Sequence, residues 1–301
     1  MQHFSSLVLV VAMLTGAATA LAQPDAFSQV QQAEKLIASG DIPGAIAALE
    51  KTVAAAPASF DARLVLGRAL DLHGRHEAAR RQLEEAVRLA NDEERNTAQT
   101  ALGISYAFES KPDQAARYYQ RAFDAELQAD NRGGAAGLAN ALGRIYLESN
   151  NLQKAEQWYT TGYEMARKIP ELPASQAALW EMRWHHAQGR IAARRGDKVA
   201  AAKHAAAVAT LLDKGGNENQ RVFYPYLLGY IAFFAKDYQH AIEELVKGDQ
   251  NDPFVLGLIA QSYQRLNERA KAEEYFRKVM ASTAHSINSA FARPQARAFL
   301  R

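Results

Sequence analysis

The chain has 301 residues, of which 48% are hydrophobic and 23% charged, and it contains no cysteine. These values are those of a folded globular protein, and they exclude intrinsic disorder, a collagen-like fold and a multi-span membrane protein. Without cysteine there are no disulfides, thiolate nucleophiles, cysteine zinc sites or lipid-modified N-terminal cysteine. Lys and Arg total 35 against 33 Asp and Glu, and this formal net charge of +2 gives no strong general field for nucleic acid or anionic lipid.

The first 22 residues have the pattern of an export signal. An apolar run, LVLVVAML, extends from Leu7 to Leu14, and small residues follow it up to Ala20-Leu21-Ala22. An apolar segment before an A-x-A motif predicts a secretory signal peptide at residues 1–22, cleaved before Gln23, although no Lys or Arg precedes the apolar run. The alternative is an uncleaved anchor or a buried helix, but the run is short for a membrane span. We therefore expect an exported protein, either periplasmic or secreted.

A repeating pattern follows. Four segments place Gly after a leucine, then Ala twelve residues later and a large side chain four residues after that. The glycines are Gly67, Gly103, Gly143 and Gly229, the alanines are Ala79, Ala115, Ala155 and Ala241, and the large residues are Leu83, Tyr119, Tyr159 and Leu245. Small residues on both helices of a pair allow close antiparallel packing, so each segment predicts a helical hairpin. Three looser copies of the pattern lie around Ala33, Gly189 and Ala260.

This pattern resembles that of the tetratricopeptide repeat (TPR) family, L-G-x-x-Y followed by A and then a large residue, over about residues 25–280. The resemblance implies an all-α, right-handed α-solenoid of about seven antiparallel helical hairpins with a C-terminal capping helix, in an exported protein of bacterial type. The repeat array is expected at 23–280, with hairpins at about 26–57, 60–91, 96–128, 136–168, 178–213, 222–250 and 253–280.

Residues 281–301 depart from the repeat and predict a C-terminal cap. Phe291, Phe299 and Leu300 are expected to cover the last hairpin, while Arg293, Arg297 and Arg301 face water. The alternative is a tail that docks a partner.

No P-loop, dinucleotide-binding glycine motif, H-E-x-x-H or G-x-S-x-G sequence is present, so no catalytic residue and no cofactor is predicted. His185, His186 and His204 lie in one predicted hairpin with Glu181, but adjacent histidines point about 100° apart on a helix. No metal site is therefore predicted.

Positive charge gathers in the second half of the array. Residues 23–135 hold 13 Lys or Arg and 17 Asp or Glu, whereas residues 136–301 hold 22 and 16. The first helix of each TPR hairpin lines the concave surface, and its register in hairpins four to six predicts a partner-binding groove. The predicted groove residues are Asn140, Arg144, Arg183, His186, Arg190, Arg194, Phe223, Tyr226, Tyr230, Phe233 and Phe234. The alternative is that the basic residues form a solvated helix face and the aromatic residues pack between hairpins.

The leading functional prediction is a non-catalytic exported scaffold that binds a protein or extended peptide in its concave groove. Because Arg donates two parallel hydrogen bonds to a carboxylate, the ligand is expected to be acidic or to carry a free carboxylate. Nucleic acid is not an expected partner, and no integral membrane span is expected after signal cleavage. The alternative is a cell-envelope assembly factor or enzyme subunit that recognises a glycan or a small anionic ligand; an enzyme in its own right is a third possibility.

Overall fold

A computed structural model describes residues 25–301, so the predicted signal peptide at 1–22 lies outside the described residues. Over the described range the chain forms fifteen α-helices and one short 3-10 turn (Glu218–Gln220), with no strand. The helices are α1 (Ala26–Ala38), α2 (Ile42–Ala55), α3 (Phe60–His73), α4 (His76–Leu89), α5 (Asp92–Phe108), α6 (Pro112–Gln128), α7 (Arg132–Glu148), α8 (Leu152–Ala166), α9 (Ala174–Arg195), α10 (Lys198–Asp213), α11 (Phe223–Phe234), α12 (Tyr238–Leu245), α13 (Pro253–Arg265), α14 (Arg269–Ala281) and α15 (Ile287–Phe299).

Helices α1 to α14 pair in chain order into seven antiparallel hairpins, and successive hairpins stack to form an all-α solenoid. No helix in residues 25–301 is both long enough and apolar enough to cross a membrane. The first helices of hairpins three, four and five begin at 92, 132 and 174, four residues earlier than the sequence pattern predicted. Two of these early starts are capped by side chains, since Asn91 accepts from the backbone of Glu94, and Asn131 accepts from that of Gly134.

Every hairpin turn contains one residue in the left-handed conformation. Glycine fills this position in three turns, whereas four turns place a residue with a side chain there. The seven residues are Gly40, Gly74, Ser110, Asn150, Gly196, Lys236 and Asn267. The next residue donates its backbone N–H to a carbonyl of the first helix, as from Asp197 to Ala192 at 2.9 Å. This bond satisfies a carbonyl left free at the helix end and fixes the reversal of the chain.

The glycines of the repeat allow the two helices of a hairpin to approach each other. A Cβ atom added to any of the four would lie 2.5 to 2.8 Å from the large residue of the second helix, which is too close for a real side chain. The contacting pairs are Gly67 with Leu83, Gly103 with Tyr119, Gly143 with Tyr159 and Gly229 with Leu245. The residues that carry the sequence pattern are therefore in direct contact.

The C-terminal helix α15 contacts hairpins that are far apart in the array. It packs on α13 and α14 of hairpin seven and also on α5 of hairpin three. Its Ala290 belongs to the same buried cluster as Leu72 and Phe108, while Phe299 contacts Phe276 of α14 with ring centroids 4.8 Å apart. The inner face of the solenoid, formed by the first helices of the hairpins, is thus partly filled by the chain's own C-terminal segment.

The expectation that Arg293 and Arg297 face water is wrong for both residues. The Arg293 side chain is buried and donates to the carbonyl oxygens of Met280, Ser282 and Leu72, the last at 2.7 Å. Arg297 is half-buried over the turn at Gly74, and only Arg301 is exposed. Burial and the nearby charge of Arg297 lower the pKa of Arg293 to about 10, so its guanidinium remains charged at neutral pH and binds carbonyl dipoles.

Candidate functional site

A cavity of about 300 Å³ opens on the inner face beside hairpins four, five and six. Its walls come from α7, α9, α10, α11 and the 3-10 turn, together with the starts of α13 and α15. The lining residues are Asn140, Arg144, Met182, Arg183, His186, Arg190, Val208, Gln220, Phe223, Tyr226, Asp252 and Asn288. A volume of this size is at the lower end of the range for small-molecule sites.

Helix α9 supplies the basic side of the cavity. Arg183, His186 and Arg190 follow one another at spacings of three and four residues, so they lie on one face of this 22-residue helix. Arg183 is exposed at the mouth of the cavity, with its guanidinium 5.2 Å from the ring centroid of Trp180. Arg190 lies one turn deeper than His186 and is 6% exposed. The helix therefore presents positive charge from the surface to the floor of the cavity.

One buried carboxylate, Glu148, serves two arginines. Arg194 donates to one of its oxygens, and the Nε atom of Arg144 lies 3.4 Å from the other. The Glu148 side chain is 4% exposed, so this is a desolvated ion network. Arg144 also donates to the phenolic oxygen of Tyr226 at 2.7 Å and lies over the ring of Phe254, 4.2 Å from its centroid. The network ties α7, α9, α11 and α13 together.

Arg190 has no carboxylate partner among residues 25–301. Its Nη2 atom donates to the hydroxyl of Tyr159 at 3.1 Å, and its Nε atom to the backbone carbonyl of His186 at 3.4 Å. Its guanidinium also lies within 6.0 Å of the ring centroids of Tyr226 and Tyr230. The Nη1 atom of Arg190 is buried and has no acceptor among the described residues, and the same is true of Nη2 of Arg144. Buried polar groups without partners are rare in proteins, so these atoms need an explanation.

The other titratable groups of the cavity leave it positively charged. Burial and the adjacent charge of Arg190 lower the pKa of His186 well below its ordinary value, so its imidazole is neutral at pH 7. Asp252 is the one acidic residue that lines the cavity, and burial raises its pKa despite the attraction of Arg144. Three arginines thus face a single carboxyl group, which is hydrogen-bonded to Asn288 at 2.8 Å.

Seven of the eleven groove residues expected from the sequence line this cavity. They are Asn140, Arg144, Arg183, His186, Arg190, Phe223 and Tyr226. Arg194, Tyr230, Phe233 and Phe234 do not.

The eleven predicted groove residues are not equally exposed, and four of the five aromatic residues among them are buried or half-buried. Tyr230 is completely buried and Tyr226 is 6% exposed, because α13 packs over α11. The Tyr230 hydroxyl accepts a hydrogen bond from Arg194 at 2.6 Å, and Phe234 lies beneath the same guanidinium. Phe233 is half-buried against Phe234 and Tyr238. Tyr230 and Phe234 therefore pack against the guanidinium group of Arg194 and fix its position.

Five lining residues were not expected from the sequence. Met182 and Val208 are apolar, and Gln220 lies in the 3-10 turn. Asp252 caps the start of α13, and Asn288 belongs to α15. The register of the first helices gives no signal for residues in caps and turns or on a helix outside the repeat.

The histidines of hairpin five form a separate contact. The Nδ1 atoms of His185 and His204 lie 2.8 Å apart, so one ring donates a hydrogen bond to the other. Within residues 25–301, no group of three or more His, Cys, Asp or Glu side chains is arranged to hold a metal ion.

Comparisons with known proteins agree with the hairpin architecture. Three family models, each described as tetratricopeptide repeat, match residues 30–94, 94–168 and 255–284. A comparison with curated proteins gave no match.

Two solved structures show the same fold at low sequence identity. A tetratricopeptide repeat protein from Parabacteroides merdae is 13% identical, covering 92% of this chain and 97% of its own, with a TM-score of 0.52. The apo form of RapI is 10% identical, with coverages of 92% and 99% and a TM-score of 0.56. The match to the APC/C hetero-tetramer Cut9-Hcn1 is 19% identical with a TM-score of 0.46, covers 89% of this chain, and spans 48% of that one. From the repeat pattern, the seven stacked hairpins and the matching family models, we conclude that the chain belongs to the tetratricopeptide repeat family.

Proposed function

We propose that the protein is an exported adaptor of bacterial type, without catalytic activity of its own, that captures a protein or peptide at the mouth of the cavity. TPR arrays are interaction scaffolds, because stacked hairpins hold a fixed row of side chains along an extended inner surface. The observation that carries the proposal is that Arg183 and Phe223 are both exposed and both line this cavity. Arginine and aromatic residues dominate the energetics of protein interfaces.

The charge of the site favours an acidic partner or one with a free carboxylate. Arg144, Arg183 and Arg190 line the cavity, and Asp252 is the one acidic residue among its lining residues. An extended peptide along the entire inner face is disfavoured, because α15 packs on α5 and α13. We therefore propose a local contact through hairpins four to six in place of a full-length groove.

Export is proposed from residues 1–22, whose apolar run and A-x-A motif match a secretory signal. When the complete chain is expressed in a bacterium, we expect the mature protein in the periplasm or the medium, with Gln23 at its N-terminus by mass spectrometry. Recovery of the intact chain in the cytosol would contradict this proposal.

Reversing the charge at the mouth tests the adaptor function. Arg183→Glu is expected to weaken partner capture about tenfold or more, because it places a carboxylate where an acidic ligand docks. Phe223→Ala is expected to have a similar effect by removing exposed aromatic area. The measurement is affinity capture from an envelope fraction by the mature protein, with quantitative mass spectrometry.

The control is Lys198→Glu, which makes the same change of charge at an exposed position of α10 in the same hairpin. The wild-type and control proteins are expected to retain the same partner, and the two mouth variants to lose it without a change in thermal unfolding. Equal capture by all four proteins would refute the assignment of this surface.

The alternative, an envelope assembly factor or enzyme subunit that recognises a glycan or small anion, is favoured by one observation. The cavity is small, and it combines Arg with aromatic rings on which a sugar stacks. Salt-sensitive binding of the mature protein to isolated cell wall, with no retained protein partner, would support this alternative.

A further inference from the structure

We propose that the floor of the cavity is a binding site for a small organic monocarboxylate with an apolar body, distinct from the protein partner captured at its mouth. The proposal goes beyond the adaptor function because it assigns a second class of ligand to the chain. It rests on the hydrogen-bond partners that Arg144 and Arg190 lack, on the chemistry of the cavity walls and on the contribution of Asn288 from α15 to the lining.

The first step concerns the unmet donors. Arg190 is only 6% exposed, and its Nη1 atom has no acceptor among the described residues. Arg144 lines the same cavity, and its Nη2 atom likewise has no acceptor within the part of the chain that the structure describes. Both atoms are fully buried, so a ligand carboxylate accepts from them only when the guanidinium groups rotate toward the cavity that they line. A carboxylate supplies two oxygens with about four lone-pair sites, which matches the guanidinium groups in charge and hydrogen-bonding role.

The second step concerns charge. Glu148 is already engaged by Arg144 and Arg194, so it does not neutralise Arg190. With His186 neutral, the floor of the cavity keeps an excess of positive charge in a desolvated setting, where an anion is favoured. The carboxyl group of Asp252 reduces this excess of positive charge. It also disfavours a dianion such as phosphate, because the second negative charge of the dianion would lie close to that carboxyl group.

The third step concerns shape. Met182, Val208 and the ring of Tyr226 provide an apolar wall beside the arginines. Asn288 of α15, held by its hydrogen bond to Asp252, also lines the cavity and belongs to the segment that partly fills the inner face. The volume of about 300 Å³ accommodates a small acid. A ligand with a single carboxylate and a compact apolar group is complementary to this cavity, because the carboxylate faces the arginines and the apolar group faces Met182 and Val208.

The test uses the mature protein (residues 23–301) with 3-phenylpropionate as the probe and 3-phenylpropanamide as its neutral counterpart, measured by isothermal titration calorimetry. We expect saturable binding of the acid, and at least about tenfold weaker binding of the amide, because the amide has no charge for the guanidinium groups. Inorganic phosphate is expected to bind more weakly than the acid. Equal binding of acid and amide, no binding of the acid at 10 mM (about the weak limit for so small a ligand), or preference for phosphate would each overturn the proposal.

Arg190→Met is the variant that separates a ligand site from a structural ion. Arg190 has no carboxylate partner among residues 25–301, so replacing it by an apolar residue of similar length leaves no buried charge unpaired. We expect this variant to unfold at the same temperature as the wild type or higher, yet to bind 3-phenylpropionate at least about tenfold more weakly. Asn288→Ala provides a second test at a partly exposed residue, with the same direction expected.

A further titration with a peptide distinguishes a free organic acid from the C-terminus of a polypeptide as the source of the carboxylate. Acetyl-Ala-Phe with a free C-terminus carries the same phenylpropionate end on a longer chain. Because the cavity has a volume of only about 300 Å³, we expect the peptide to bind more weakly than 3-phenylpropionate. Tighter binding of the peptide would overturn the proposal and show that the site binds the end of a polypeptide. The two proposals fail separately. If Arg190→Met still captures the protein partner, the adaptor function stands whether or not the acid binds. If only Arg183→Glu loses the partner, that result does not bear on the acid site.

Discussion

Two buried arginines with different surroundings show what decides the role of a single residue. Arg194 donates to Glu148 and to Tyr230, so its charge is compensated within the fold. Arg190 meets only neutral acceptors and aromatic rings. Ion pairs that are compensated in this way hold helices together, whereas an uncompensated guanidinium beside a cavity is available for a ligand. The stability of the protein should therefore depend strongly on Glu148 and weakly on Arg190.

Glu148→Ala is expected to lower the free energy of unfolding by about 3–5 kcal/mol, because it leaves Arg144 and Arg194 buried without a carboxylate. The control is Glu156→Ala, which removes an ion pair with Arg195 whose side chains are 43% and 42% exposed. That change should cost less than about 1 kcal/mol. Both values are obtained from urea unfolding followed by circular dichroism, and similar costs for the two variants would contradict the account of the buried network.

The hairpin is the element that the sequence describes best. In each one, a left-handed residue and a backbone hydrogen bond reverse the chain, and a small residue then brings the helices together. The four turns without glycine reverse the chain in the same way, but their residues with a Cβ atom are strained in the left-handed conformation. They mark places where the stability of a hairpin can be raised without touching the core.

Lys236→Gly is expected to stabilise the protein by about 0.5–1 kcal/mol, because residue 236 has a φ of 65° that disfavours any residue with a Cβ atom. Gly196→Ala should destabilise it by about 1 kcal/mol for the same reason, since no atom lies within 4 Å of the added methyl group and no clash contributes. Thermal unfolding measures both changes. A stabilising effect of Gly196→Ala would disprove the backbone explanation.

At the scale of the whole molecule, a buried polar cluster fastens the C-terminal segment to the second hairpin. Asp71 is fully buried and accepts hydrogen bonds from Ser105, His76 and His285, the last at 2.9 Å. Burial lowers the pKa of His285 even though Asp71 opposes that effect, and the charges of Arg68 and His76 act in the same direction as burial. Its other ring nitrogen, Nδ1, has no partner among residues 25–301, so a proton added there would find no acceptor.

Stability should therefore fall on acidification. A histidine whose pKa is lower in the folded state than in the unfolded state contributes stability above its unfolded pKa of about 6.5 and loses it as the pH drops below that value. Hydrogen bonds from His285 and His76 outweigh burial and lower the pKa of Asp71, so a second loss follows below about pH 4.

His285→Gln should keep a donor to Asp71 while removing the titration. We expect the wild type to lose more of its unfolding free energy than this variant between pH 7.5 and pH 5, as measured by urea unfolding. Parallel losses in the two proteins would exclude His285 as the source of the pH dependence.

Local spacing predicted much of the fold and part of the site. The pairing of Gly143 with Tyr159 follows from packing within one hairpin, and the helix register brought Arg144 and Arg190 to one surface. The burial of Tyr230 depends on α13 of the next hairpin, and Asn288 reaches the cavity from a helix outside the repeat. The acceptors of Arg293 are backbone carbonyls, which have no signature in sequence. The part that could not be predicted was therefore the set of contacts that a side chain makes outside its own hairpin.

The docking of α15 also bears on how the chain folds. In an open repeat array each hairpin contacts only its neighbours, so folding proceeds from local contacts and either end is free to fray. Here the bond between Arg293 and Leu72 joins residues 221 positions apart. Closing so long a loop costs about 5 kcal/mol of chain entropy beyond a constant, and contacts of high sequence separation slow folding. Once the loop is closed, the last hairpin is coupled to the second and third through α15, so unfolding from the C-terminus must also break contacts with those two hairpins.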